Sequence, residues 1–200
     1  MPIGTIEWHG NHLPIETDFL IAQKLCEILA GQKKGYVLPP IFLGTDKTRI
    51  RGGKKFIGMN SYFKKELKGS LYYLKPGLLY QIVQSAVNNL TKQGFRKIYI
   101  ITGHGGSKHV EILKKIEKDN KNVYFINPWE KVRAHHADEF ETSLFWACYP
   151  DEIKKSAKIK ISADDDFIKY AGYDPGRKAY LAVGKKMLRE IIKNALDKIS

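Results

Sequence analysis

The segment that most constrains the fold of this chain is a nearly uninterrupted apolar run over residues 97–102. Its sequence, Lys-Ile-Tyr-Ile-Ile-Thr, is typical of a strand that is buried on both faces of a parallel sheet. The residues that follow predict a helix over 107–119 and a second strand over 122–126. Because a strand, a helix and a strand in this order form a right-handed parallel crossover, the sequence predicts a doubly wound α/β domain.

Apolar periodicity, glycine and proline predict the remaining elements. Strands are predicted over 3–7, 36–41 and 71–74. Helices are predicted over 18–29 with Gly31 as the stop, over 76–92 closed by Gly94, and over 137–148 and 178–199. Loops are predicted for the basic segment 47–55, for 164–166 and for the turn 172–176. Since the sequence contains no repeat, low-complexity tract or linker, we expect a single domain over residues 1–200.

Composition bounds the class of protein. Two hundred residues with 43% hydrophobic content are enough to close a sizeable core. We expect a cytoplasmic protein without a membrane partner, because there is no apolar run of about 18 residues and no signal-peptide pattern. The two cysteines, Cys26 and Cys148, lie in apolar stretches that look helical, and we expect them to be core residues rather than a disulfide.

The formal net charge of +13 raises the question of a polyanionic partner, since Lys and Arg neutralise phosphates. Most lysines are spread along predicted helices, as on a solvated surface, and a thermophilic bias toward Lys and Glu would explain part of the excess equally simply. The densest basic stretch, 47–55, contains Arg49, Arg51, Lys54 and Lys55. A nucleotide- or nucleic-acid-binding protein that uses this stretch is therefore an alternative, although charge runs usually lie on the surface.

Chemistry-bearing side chains first occur after the strand predicted at 3–7. Residues two apart on an extended segment point to the same side, so Glu7 and His9 can present a carboxylate and an imidazole to one point. Asp18 follows at the start of the next predicted helix, where free amides also favour an Asp. Taken alone, this cluster is equally consistent with a helix cap at Thr17 or Asp18 and hydrogen-bonded loop histidines.

A second cluster stands at the end of the strongest predicted strand, in the turn Gly103-His104-Gly105-Gly106. Ligands of open α/β sheets collect at the carboxyl ends of strands, so His104 belongs to the same edge as the first cluster. A glycine-rich turn could equally cradle a phosphate. Because the spacing matches neither the dinucleotide motif nor the phosphate loop, we rank metal binding above nucleotide binding.

A third cluster begins the helix predicted at 137–148 and contains His136 and Glu141. Asp138 and Glu139 are ordinary acidic residues of a first helical turn. Imidazole and carboxylates together suit a divalent ion such as Zn²⁺, Mn²⁺ or Fe²⁺. We expect His109 to be a surface or capping residue.

In this order and at these strand ends, the clusters resemble the creatininase (creatinine amidohydrolase) family. Members of that family carry a Glu-x-His-Gly-x-His-Leu-Pro segment followed by Thr-Asp, a Gly-His-Gly-Gly turn, and a His-Ala-Gly-x-x-Glu-Thr-Ser segment. The similar residues here are 7–18, 103–106 and 136–143. The late turn at 172–175 is also similar, so the likeness covers nearly the whole chain.

The resemblance implies a three-layer αβα sandwich with a mostly parallel central sheet, and a homo-oligomer. It implies one or two divalent ions (Zn²⁺, Fe²⁺ or Mn²⁺) and no organic cofactor. Glu7, Asp18 and His104 would surround one ion, and His9 and Asp18 a second, with Asp18 as the bridge. The implied activity is a metal-dependent amidohydrolase that cleaves a non-peptide C–N bond of a small molecule with a metal-activated water.

The same resemblance implies two roles for the third cluster. His136 would donate the proton to the leaving nitrogen. Glu141 would orient His136 or complete the metal coordination.

Departures from the family pattern limit the substrate. Creatininase itself has a Tyr-Glu pair where this chain has Gly105 and Gly106, so one second-metal ligand is missing and would be replaced by Glu141 or water. Asp138 replaces a family glycine. Residues 44–47 and the basic segment stand where relatives usually have Gly-x-Ser-x-Glu-His. We therefore do not expect creatinine to be the substrate.

A basic segment near the site favours an anionic substrate, such as a phosphorylated formamidopyrimidine of the kind that family members deformylate in flavin and deazaflavin biosynthesis. The candidate substrate contacts are Trp8, Gly105, Gly106, Arg49 and Arg51. A family member that has lost catalysis is the remaining alternative.

Overall fold

The computed structural model describes residues 1–132, 134–152 and 165–199 and gives the predicted elements definite bounds. In chain order these are β1 (Pro2–Ile3), α1 (Thr17–Lys33), β2 (Thr48–Arg51), β3 (Lys54–Ile57), α2 (Asn60–Phe63), α3 (Pro76–Lys92), β4 (Ile98–Thr102), α4 (Ser107–Asp119), β5 (Val123–Ile126), a 3-10 turn (Pro128–Glu130), α5 (Glu139–Cys148), α6 (Asp165–Ala171), α7 (Pro175–Lys178) and α8 (Leu181–Ile199). None of the described helices is long and apolar enough to cross a membrane.

A parallel sheet forms around the apolar run that the sequence analysis singled out. Its strands have the order β1-β4-β5, with β4 in the middle. Pro2 lies opposite Ile101, and Ile98 lies opposite Val123, both in parallel register. The predicted crossover from β4 through α4 to β5 is therefore confirmed.

The core beside this sheet comes from helices with one apolar face. In α3, Leu79, Val83 and Val87 recur every four residues and are fully buried. They belong to one cluster with the inner residues of the strands and of α4, including Ile100 and Leu113. Proline at the first position of α3 and a left-handed Gly94 after its end explain why both bounds were predicted correctly.

The chain divides into two compact units. The first comprises Met1–Trp8 and Asp18–Asn127, and the second comprises His9–Thr17 and Pro128–Ser200. Within the second unit α5 packs against α8, where a β-carbon on Gly184 would overlap the carbonyl oxygen of Ser143. The single domain over residues 1–200 stays a prediction.

The predicted strands at 36–41 and 71–74 are wrong. Each contributes only one bridge, at Ile41 and at Tyr73. Pro39 and Pro40 carry no backbone N–H, and Tyr36 is 84% exposed, so the first segment cannot form a ladder. The strand predicted at 3–7 is shorter than expected, because its ladder with β4 ends at Ile3.

The basic segment is not a loop. It forms an antiparallel hairpin of β2 and β3, which turns at Gly52 and Gly53. Both glycines have positive φ, at 57° and 76°, as a tight hairpin turn with the right-handed strand twist requires. We call residues 47–58 the basic hairpin.

Several helix bounds also differ from the prediction. α1 continues past Gly31 to Lys33, and α8 begins at Leu181. Asp138 caps α5, since its Oδ1 accepts the N–H groups of Phe140 and Glu141. Of the loop predicted at 164–166, residues 165 and 166 begin α6, and residue 164 lies outside the described residues. Residues 175 and 176 of the turn predicted at 172–176 belong to α7. Both cysteines are buried free thiols, as predicted.

Candidate metal centre

Two glycines bring the first turn of α1 onto the ends of β1 and β4. A β-carbon on Gly103 would overlap the carbonyl oxygen of Asp18, and one on Gly4 would overlap the backbone nitrogen of Phe19. Only glycine allows this approach without a backbone shift. Thr102 Oγ1 accepts the backbone N–H of His104 at 3.0 Å and fixes the turn after β4.

Three predicted ligands meet in the first unit. His104 Nδ1 lies 2.9 Å from Asp18 Oδ2 and 3.0 Å from Glu7 Oε1. Glu7 is 1% exposed, Asp18 2% and His104 4%. One donor atom from each residue lies within 4.8 Å of the others. The structure therefore brings together the three residues that the family resemblance implies for the first ion, and their role as ligands stays a prediction.

The charges of this cluster suit a divalent cation. Burial alone would lower the pKa of His104, but the carboxylates of Glu7 and Asp18 raise this pKa well above its ordinary value. A protonated imidazole balances only one of the two buried negative charges, whereas a divalent ion balances both. Two carboxylates and one imidazole are also the donor types that Zn²⁺, Mn²⁺ and Fe²⁺ accept, so the residues fit the metal.

Two further side chains at this cluster were not predicted. The hydroxyl of Tyr73 donates to Oε2 of Glu7. Burial, followed by the charge of Glu7, raises the pKa of Tyr73 far above its ordinary value, so the phenol stays protonated. Asp46 lies beside His104, and burial raises its pKa while the charge of His104 opposes that rise. Tyr73 lies in no motif. Asp46 lies in the segment 44–47 that departs from the family pattern, and that departure gave no sign of a position beside His104.

The second unit brings together His9, His136 and Glu141. The rings of His9 and His136 lie 4.3 Å apart, centroid to centroid. Glu141 Oε2 lies 3.8 Å from Nε2 of His9 and accepts the backbone N–H of Ala137 at 2.5 Å. Glu141 thus holds the turn that carries His136, and whether it orients His136 or binds a metal stays a prediction.

His12 completes the support of that turn. Its Nε2 lies 3.1 Å from the carbonyl oxygen of Ala137, a residue with the unusual φ of 50°. Burial lowers the pKa of His12 to about 4, so the ring is neutral at pH 7 and donates to the carbonyl. The backbone of Ala137 is therefore held from both sides, by His12 and by Glu141.

The residues predicted to contact substrate have varied surroundings. Trp8 is half-buried and packs edge to face on Phe63, with ring centroids 5.0 Å apart. Gly105 and Arg51 are exposed, and the guanidinium of Arg49 lies 5.1 Å from the ring centroid of Tyr62.

Gly106 and His109 lie beside the group of Glu7, Asp18 and His104. A β-carbon on Gly106 would overlap Nε2 of His104, which explains the glycine better than a substrate contact does. The prediction of a surface position for His109 is wrong, since it is fully buried with its ring centroid 5.0 Å from that of His104.

Comparisons with known proteins identify the family of this chain. A sequence model of the Creatininase family, described as creatinine amidohydrolase, matches residues 1–189. A creatinine amidohydrolase of Pseudomonas putida is 24% identical over 180 residues, which is 76% of this chain and 65% of that relative. The match thus spans slightly less than two thirds of the relative's length.

Solved structures of creatininase share the fold. One creatinine amidohydrolase (creatininase) superposes with a TM-score of 0.70 at 21% identity, over 99% of this chain and 87% of the other. A mutant creatininase of the Zn-Zn type superposes with a TM-score of 0.69 at 20% identity, over the same shares of both chains. The predicted α/β fold with a parallel sheet is confirmed, and the chain belongs to the creatininase family.

Proposed function

We propose that this chain is a metal-dependent hydrolase that cleaves a non-peptide C–N bond of a small amide or formamide. The observation that carries the proposal is the buried group of Glu7, Asp18 and His104, which fits one divalent ion. Family membership supports it, as does the Zn-Zn type of a structural relative. The ion is Zn²⁺, Fe²⁺ or Mn²⁺, the metals that accept carboxylate and imidazole donors.

The side chains of the first unit hold the ion. When bound, a divalent ion polarises an amide carbonyl and lowers the pKa of a water toward neutrality. Tyr73 fixes Glu7 by donating to Oε2, while Oε1 of Glu7 lies on the side of His104. Asp18 presents Oδ2 to the same nitrogen of His104.

The side chains of the second unit handle the proton. We propose that His136 protonates the leaving nitrogen as the C–N bond breaks. Glu141 would hold His136 in place by accepting the backbone N–H of Ala137. His9 and Glu141, 3.8 Å apart, would contribute ligands to a second ion. Glu141 would then replace the family ligand that Gly106 lacks.

A hydrolysis assay with matched variants tests this function. Wild-type protein loaded with Zn²⁺, Mn²⁺ or Fe²⁺ is offered formamides and other small amides, and amine release is measured. We expect turnover in the wild type and its loss in Glu7→Gln and Asp18→Asn, which keep the shape but weaken metal binding. The control Glu111→Gln removes an exposed carboxylate paired with Lys108 and leaves turnover unchanged.

His136→Gln is expected to lower kcat by about 10²–10⁴-fold, the usual effect of a lost general acid, with little change in KM. An Asp18→Asn variant as active as the wild type would contradict the proposal, and so would a metal-loaded wild type inactive on every amide.

We further propose that the substrate is anionic and carries a phosphate, as in a phosphorylated formamidopyrimidine of flavin or deazaflavin biosynthesis. Both ends of the basic hairpin lie next to side chains that border the group of Glu7, Asp18 and His104. Asp46, beside His104, directly precedes it, and Gly58 at its end packs on the Tyr73 hydroxyl. The pairing of the strands places Arg49, Arg51 and Lys54 on one face.

Charge neutralisation tests the substrate class. In the variant Arg49→Gln, Arg51→Gln, Lys54→Gln and Lys55→Gln, we expect KM for a phosphorylated formamide to rise at least about tenfold, since charge-assisted phosphate contacts are lost. KM for the same formamide without phosphate should not change. Equal kinetics of wild type and variant on both compounds would exclude the phosphate claim.

The alternative of nucleic-acid binding predicts steeply salt-dependent binding of RNA or DNA by the wild type and its loss in this variant, without any bound metal. The homo-oligomeric state and the cytoplasmic location stay predictions.

A further inference from the structure

The two ring nitrogens of His104 have different surroundings. Nδ1 lies within 3.0 Å of the carboxylates of Glu7 and Asp18. Nε2 is buried and has no hydrogen-bond partner among the described residues. An unsatisfied buried polar group costs about 1–3 kcal/mol, so a protein rarely leaves a ligand nitrogen in this state without a nearby acceptor.

Gly106 keeps a small space open in front of Nε2. A β-carbon on this glycine would overlap Nε2 of His104 and would lie 2.9 Å from Cγ of Asp46. The imidazole nitrogen and the Asp46 carboxyl group therefore border the same space, on the side of the ring away from the ligand carboxylates. Any larger residue at 106 would fill it.

The backbone around Asp46 is held firmly. Oδ1 of Asp46 accepts the backbone N–H of Lys47 at 2.6 Å. The preceding Thr45 is buried, and its hydroxyl donates to the carbonyl oxygen of Leu74 at 2.6 Å. A carboxylate has about four acceptor positions, so the bond to Lys47 leaves capacity for a second donor.

We propose that Asp46 is a positioning residue that accepts the Nε2–H of His104 and thereby fixes the tautomer in which Nδ1 binds the metal. Histidines that ligate metals almost always donate their other N–H to a carboxylate, a carbonyl or water, and this bond orients the ring and raises its basicity. The inference rests on the proposed metal function of Glu7, Asp18 and His104. Gly106, in turn, is required so that Asp46 and His104 can approach each other.

Zinc affinity is the readout, measured by competition with a chromophoric chelator. We expect Asp46→Ala to weaken zinc binding about 10–100-fold, the usual cost of losing such a partner. Asp46→Asn should weaken it less, because the amide oxygen still accepts. Gly106→Ala should also weaken it, since the methyl group displaces the imidazole.

Two controls separate positioning from general damage. His109→Phe keeps the ring that packs on His104 but removes its nitrogens, and Asp119→Asn removes an exposed carboxylate. Both should bind zinc like the wild type. In the zinc-loaded wild type, the Nε2–H proton of His104 should give the NMR signal of a hydrogen-bonded proton, and Asp46→Ala should lack this signal. Without metal, Asp46→Ala and the wild type should have the same free energy of unfolding.

The outcomes distinguish this inference from the proposed function. If His104→Ala abolishes zinc binding but Asp46→Ala stays within twofold of the wild type, Asp46 has no positioning role and the metal centre stands. If His109→Phe weakens binding and Asp46→Ala does not, the acceptor is His109 and the inference is overturned. If the folded wild type binds no zinc, both fail.

Discussion

At the scale of single residues, the site depends on glycines that let two backbones meet. Gly103 is placed so that any side chain would overlap the carbonyl oxygen of Asp18, and Gly4 is similarly crowded by Phe19. In both cases the obstacle is backbone, which cannot rotate away as a flexible side chain can. The approach positions the Asp18 carboxylate next to His104.

Gly103→Ala is therefore expected to destabilise the protein by at least about 1–3 kcal/mol, the usual cost of overpacking. The measurement is the urea unfolding midpoint. Gly31→Ala is the matched control, because it lies inside α1 with nothing within 4 Å of a new β-carbon. It should stabilise by about 0.5–1 kcal/mol through helix propensity. Equal midpoints for Gly103→Ala and the wild type would contradict the close approach.

His12 makes a second prediction at this scale, on the pH dependence of stability. Its pKa is lowered from 6.5 to about 4, mainly by burial. The unfolded chain then binds the proton more readily, so the contribution of His12 is complete above pH 6.5 and is lost as the pH falls toward 4.

His12→Gln can still donate to Ala137 but does not titrate. Between pH 7 and 4.5 the wild type should lose about 2–3 kcal/mol more unfolding free energy than His12→Gln, from a shift of this size. Metal-free protein and urea unfolding at both pH values provide the measurement. Parallel losses in the two proteins would show that the ring titrates normally.

At the scale of elements, local signals were sufficient for α3, α4 and β4. Each carries its own pattern, an apolar face or an apolar run bounded by glycine or proline, and each was predicted within one residue. The segments 36–41 and 71–74 failed because an apolar composition does not supply a pairing partner. The basic hairpin was predicted as a loop because its high charge was given more weight than the Gly52-Gly53 pair, which is typical of a hairpin turn.

The residues of the candidate site also fall into those that could be predicted from the sequence and those that could not. Glu7, Asp18 and His104 could be predicted because each follows or begins a recognisable element, and parallel strands bring those ends together. Tyr73 and Asp46 could not be predicted, since their roles arise only when separate segments fold against the cluster. The candidate ligands could thus be predicted from their positions in the sequence, whereas the side chains that support them are seen only in the tertiary contacts.

The packing of α4 makes a prediction at this scale. Leu113 is fully buried in the core beside the sheet, whereas its neighbour Lys114 is exposed. Leu113→Ala should cost about 2–5 kcal/mol of unfolding free energy, from lost burial and the cavity left behind. Lys114→Ala should change it by less than about 0.5 kcal/mol, as surface substitutions usually do. Chemical denaturation measures the free energy of unfolding of both variants. Similar losses in the two would show that the apolar face of α4 has been assigned wrongly.

At the scale of the whole molecule, fold and charge constrain function separately. Membership of the creatininase family establishes the fold, but one fold can support many substrates. Part of the net charge of +13 lies on the basic hairpin, whose last residue, Gly58, packs on the hydroxyl of Tyr73. The proposed reaction type therefore rests on the buried group of Glu7, Asp18 and His104, and the proposed substrate class rests on the basic hairpin.

The metal content of the purified protein tests whether Glu7, Asp18 and His104 bind a metal ion. Protein purified without added metal or chelator is analysed by elemental mass spectrometry, for the wild type beside Asp18→Ala and His104→Ala. We expect one to two equivalents of Zn, Mn or Fe per chain in the wild type and their loss in both variants. A folded wild type that is metal-free, and stays so after incubation with each ion, would contradict this expectation.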